Sequence, residues 1–121
     1  MFDFEEINNL KCVVRIDYDI PFDFKETREQ AYEVIINKLH EDLDHGGYDH
    51  GVIPDYTTCS TIVLYCPTKE QNNWRGYVIE AFKDLRKIEV KDEDTFVDTV
   101  VESYDVEYYL EFSYSENYHI R

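Results

Sequence analysis

The chain has 121 residues, with 27 acids against 12 Lys plus Arg, a formal charge of −15 at pH 7. That length suits one domain, and 43% hydrophobic and 16% aromatic residues with four Gly and three Pro supply a core and exclude low-complexity disorder. A surface this acidic repels nucleic acid and anionic membrane alike, which leaves a protein, a metal or a small molecule as the expected partner. The start, MFDFEEINN, is acidic where a secretory signal needs a basic and then an apolar stretch. No apolar run approaches the roughly 20 residues that cross a bilayer. Cys12, Cys59 and Cys66 cannot all pair, so reduced thiols and a cytoplasmic setting are expected.

From Leu10 to Ile20 every second residue is apolar, which predicts a half-buried strand. Thr27 and Gln30 have capping-box spacing, and Ala31, Val34, Ile35, Leu39 and Leu43 recur at helical intervals. A helix from Arg28 to Asp44 is expected. Residues 46–58 carry three Gly and a Pro without periodicity and read as a loop. Cys59 to Cys66 is β-branched and apolar on both faces, as in a central strand.

Trp74, Val78, Ala81, Phe82 and Leu85 fit a second helix, with Gly76 its weak point. Were Gly76 to Phe82 a strand, the order would be βαββαβ, as in the ferredoxin-like motif. Asp94 can cap a third helix with Phe96, Val97, Val100, Val101 and Tyr104 on one face, although its β-branched residues favour strand. Val106, Tyr108, Leu110, Phe112 and Tyr114 alternate with polar residues in a last strand. The expected fold is a single α+β domain of order β-α-β-α-α-β, its three or four mostly antiparallel strands packed by two or three helices.

No catalytic signature is present, and none of the residues calls for a cofactor. His40, Asp42, Asp44, His45, Asp49 and His50 resemble metal-ligand material, but His40 and His45 are five apart and diverge by about 140° on a helix. A calcium loop starting at Asp42 would put Ile53 where a bidentate Glu is required. The cysteines fall in strand patterns, and no Gly-x-Ser-x-Gly or phosphate-cradling Gly run exists. The reading is therefore not an enzyme, with a metal-binding enzyme at His40 to Asp55 as an alternative.

The informative feature is where bases are missing. Between Asp92 and Ile120 there are nine acids and no Lys or Arg, whereas ordinary surfaces mix both signs. On a third helix Asp94, Asp98 and Glu102 would form a stripe, and on the last strand Asp105, Glu107 and Glu111 share the outward face. Regular carboxylates on a rigid scaffold suit a groove that neutralises phosphates with Lys and Arg, with Tyr109 as an anchor. A secondary patch holds Glu41, Asp42, Asp44, Asp49 and Asp55, again without a base from Leu39 to Thr68.

In size, charge and tyrosine content the chain resembles the small acidic inhibitors of phages and mobile elements, the DNA-mimic and anti-CRISPR proteins. The resemblance is compositional, rests on no motif and carries over no residue. The expected function is an inhibitor that binds a basic nucleic-acid-binding protein, such as a nuclease effector, through a DNA- or RNA-mimicking carboxylate surface, with an anti-CRISPR or anti-restriction role its concrete form. An immunity or antitoxin protein that binds a basic toxin is the other interaction reading.

Overall fold

A computed structural model describes residues 11–20, 25–45, 51–65, 71–92, 100–113 and 116–121. The elements are β1 (Lys11–Tyr18), α1 (Lys25–His45), β2 (Gly51–Pro54), β3 (Thr61–Tyr65), α2 (Gln71–Asp84), β4 (Lys87–Asp92), β5 (Val100–Phe112) and β6 (Glu116–Ile120). The class is α+β, as expected. The order among described residues is β-α-β-β-α-β-β-β, with six strands and two helices. Its first six elements follow βαββαβ, but Gly76 to Phe82 lies in α2 and every ladder is antiparallel. Strands β1 and β2 both pair antiparallel with β3 between them and so run parallel to each other, a split βαβ arrangement around α1. The order departs from the ferredoxin-like alternative in that Gly76 to Phe82 is helical and β5, not β4, lies on the other side of β1.

The sheet runs β2-β3-β1-β5-β4, with β6 also on β5. Strand β5 is 13 residues long and serves three partners. One edge pairs with β1 from Val106 to Phe112. The other takes β4 along its first half and β6 along its second. The peptide between Asp105 and Val106 shows the division: the Asp105 carbonyl accepts from Asp19 N at 3.0 Å, and Val106 N donates to Arg86 O at 2.8 Å.

Alternation decides which face is covered. Cys12, Val14 and Ile16 of β1, Ile62 and Leu64 of β3, Ile88 and Val90 of β4, and Val106, Tyr108, Leu110 and Phe112 of β5 are all buried. Both helices pack on that side, α1 over β4 and α2 against β6 and α1. From α1, Tyr32, Ile35, Leu39 and Leu43 are fully buried, at spacings of three and four that keep one stripe inward. From α2, Trp74, Val78, Ala81 and Phe82 are buried, followed by Leu85 just past the helix end. No described helix covers the opposite face of the sheet.

Several sequence expectations change. Helix α1 begins at Lys25, so Thr27 lies inside its first turn and cannot cap a start at Arg28. The expected loop contains β2, whose Gly51–Pro54 pairs with Tyr65–Ile62; residues 46–50 lie outside the described set. The third helix is overturned over its second half: Val100 to Tyr104 belongs to β5, paired with Asp92 to Ile88. Val100 and Val101 resist helix and fit a pleated ladder, and β4 supplies the partner. Residues 93–99 lie outside the described set. No described helix is long and apolar enough to cross a membrane.

Candidate functional site

The open sheet face is built by odd-numbered residues of all six strands, uncharged on β2 and β3. On β5 it carries Asp105, Glu107, Tyr109 and Glu111, which share one face as their spacing predicts. Glu102 does not join them. It pairs with Val90, whose side chain is buried, and so stands on the helix side of the sheet, where Tyr104 donates a hydrogen bond to its carboxylate. The helical stripe Asp94–Asp98–Glu102 is corrected accordingly: Glu102 is a strand residue, and Asp94 and Asp98 lie outside the described residues.

Neighbouring strands bring bases to the acids of β5. Lys87 of β4 is the cross-strand partner of Asp105, and Arg15 of β1 that of Tyr109. His119 of β6 faces Tyr109 from the other side. The Arg15 guanidinium carbon lies 4.5 Å from the Tyr109 ring centroid, and the His119 ring stacks on Tyr109 at 4.2 Å with 16° between planes. Tyr109 is thus sandwiched between two cross-strand neighbours, which leaves it little ring surface with which to anchor a partner. His119 Nε2 lies 2.8 Å from Glu107 Oε2, and the Tyr109 hydroxyl donates to the same oxygen at 3.2 Å. The hydrogen bond to His119 holds the Glu107 carboxyl below its ordinary value. Glu111 differs: its cross-strand neighbours, Val13 and Asn117, are uncharged.

A second acidic surface lies on the helix side. Glu26, Glu29 and Glu33 of α1 fall within about 60° of arc at 3.6 residues per turn, and all three are exposed. With Gln30, Tyr56 and Cys59 they line an open groove of about 490 Å³. Tyr56 is 61% exposed, the highest value among the exposed large hydrophobic residues. The groove's far wall is fixed from beneath. The buried Tyr32 hydroxyl donates to Thr61 O at 2.5 Å and accepts from Asp55 N at 2.8 Å, and its ring meets Tyr56 edge-on at 5.6 Å. Burial pushes that hydroxyl up to about 12.

Sequence reading missed this trio because it searched for runs without a base, and Lys25 and Arg28 interrupt the run. The helix separates what the sequence interleaves. Arg28 is half-buried with its Nε enclosed, and its charge acts on Tyr18 and Cys59. Lys25, 84% exposed, lies 4.0 Å from Glu29, a pair of little energetic weight. The helical spacing i, i+3, i+7 was the available signal.

The secondary patch does not assemble among the described residues. Asp55 spends its carboxylate on its own turn, accepting from Thr57 N at 3.0 Å, Thr58 N at 3.4 Å and Thr58 Oγ1 at 3.1 Å, which holds it below the ordinary range. Asp55 sits at the level of Tyr32, whereas Glu41 and Asp42 lie about 14 Å further along the axis of α1, at 1.5 Å per residue. The side chain of Asp44 and all of Asp49 fall outside the described set. His40 and His45 both lie in α1, five residues apart, and no described group of three His, Cys, Asp or Glu is arranged to hold a metal. Cys12 is buried in β1 and its thiol is raised well above the usual range by desolvation. Cys59 precedes β3 rather than joining it, with φ of 52° and its thiol raised by burial. A thiolate is disfavoured at both. Comparison with family models, curated proteins and solved structures finds no match.

Proposed function

We propose that this chain is a small acidic inhibitor that docks on a basic nucleic-acid-binding protein, such as a nuclease effector, and competes sterically and electrostatically for the groove that receives DNA or RNA. An anti-CRISPR or anti-restriction protein of a phage or mobile element is its concrete form. One observation carries this reading: Glu26, Glu29 and Glu33 converge on an open groove beside the exposed Tyr56. Carboxylates beside an accessible aromatic ring suit arginine, which pairs with the first and stacks on the second. The formal charge of −15 draws a basic partner from a distance. Asp105, Glu107 and Glu111 add to that field, although bases of neighbouring strands stand beside the first two.

The test compares two triple variants, Glu26→Gln/Glu29→Gln/Glu33→Gln and Asp105→Asn/Glu107→Gln/Glu111→Gln, for binding to a captured partner at two salt concentrations. The first should bind tenfold or more weakly and with a flatter salt dependence, and the second should lose less. Equal affinity of the first variant and the parent overturns the assignment to α1.

A further inference from the structure

Beyond partner binding, the open sheet face has a charge pattern that fits a second copy of the same chain. Its outward strand positions carry Lys11, Arg15, Lys87 and Lys91 against Asp17, Glu89, Asp105, Glu107 and Glu111. Four bases stand among five acids there, in a chain with 12 Lys plus Arg against 27 acids. The signs are also sorted by strand. On this face β1 offers two bases and one acid, whereas the adjacent β5 offers three acids and no base.

We propose that the open face is a self-association surface whose occupant is a second copy, related by a two-fold axis that runs along the strands between β1 and β5. Turning the molecule over about that axis lays β1 of each copy on β5 of the other, so the positive strip meets the negative one twice. A two-fold contact requires this self-complementarity. Arg15 is in register with Tyr109, and Glu111 lies two residues along, about 6.7 Å, within reach of a long guanidinium side chain. Glu111 is the acid of β5 whose own row offers no charged neighbour. Asp17 comes to the level of Glu107, whose carboxylate is already hydrogen-bonded to His119 and Tyr109. The acidic surface of α1 stays outward on both copies.

Sedimentation equilibrium of the full chain over a wide concentration range tests the contact. The expected result is a monomer–dimer equilibrium. Arg15→Glu alone and Glu111→Arg alone should each remain folded by circular dichroism and lose the dimer, since each reversal sets like charges together twice. An equimolar mixture of the two should recover a dimer, because one contact is then the native Arg15–Glu111 pair and the other joins opposite charges with their sides exchanged. A wild-type chain that stays monomeric throughout, a dimer indifferent to either reversal, or a mixture that fails to recover would each overturn the proposal.

Discussion

The imidazole of His119 lies 2.8 Å from the Glu107 carboxylate across the β5–β6 ladder. The Glu107 carboxyl is lowered from its ordinary 4.5, chiefly by that hydrogen bond. A lowered acid contributes stability that is fully present above its unfolded value and lost as pH falls through the folded one. Glu107→Gln should therefore be less stable than the parent near neutrality, with the gap closing as pH drops below 4.5. Urea unfolding across the acid range measures this; a gap constant with pH would assign the effect to something other than the charge.

Tyr108 fills the core between sheet and α2. It is fully buried, its ring centroid lies 4.8 Å from that of Phe82, and its hydroxyl donates to Leu85 O at 2.8 Å. Tyr108→Phe keeps the ring and strands that carbonyl at the end of α2. The expected loss is about 1–3 kcal/mol, read from the urea midpoint with an unchanged slope.

Gly76 lies inside α2, is exposed, and has nothing within 4 Å of where a Cβ would stand. Gly76→Ala should stabilise the protein by about 0.5–1 kcal/mol through backbone entropy alone. A decrease in thermal midpoint would show that the helix is distorted at this turn.

Cys59 occupies the left-handed region at φ 52° while almost fully buried. A β-branched residue is strained there, so Cys59→Val should lose about 1–3 kcal/mol. Cys59→Gly relieves the backbone, loses a small side chain, and should stay within about 1 kcal/mol of the parent. The reverse ranking in denaturant would remove the turn as the determinant.

Where a long run of alternating or helically spaced residues is buried in the described structure, the sequence announced it. The alternation of Cys12, Val14 and Ile16 gave β1, and that of Val106 to Phe112 gave the second half of β5. The spacing from Trp74 to Leu85 gave α2 through Gly76. Shorter pieces were hidden. Strand β4 shows only Ile88 and Val90, β6 ends on Ile120, its one buried residue among those described, and β2 is four residues ending in proline. Each depends on a partner strand that periodicity cannot reveal. Val97, Val100, Val101 and Tyr104 satisfy helical spacing, but β4 makes Val100 to Tyr104 a strand. The charge pattern was legible only along the chain. Cross-strand neighbours set Lys87 against Asp105 and His119 against Glu107, and the turn of α1 gathered Glu26, Glu29 and Glu33.

The central claim is that carboxylates on this chain compete with nucleic acid for a basic protein. Its most direct test is capture on the tagged chain from nuclease-treated host lysate, followed by elution with a salt gradient and displacement by added DNA or RNA. The account predicts a nucleic-acid-binding protein that leaves at raised salt and is displaced by the nucleic acid. Retention through high salt without displacement, or the absence of any such partner, would contradict it.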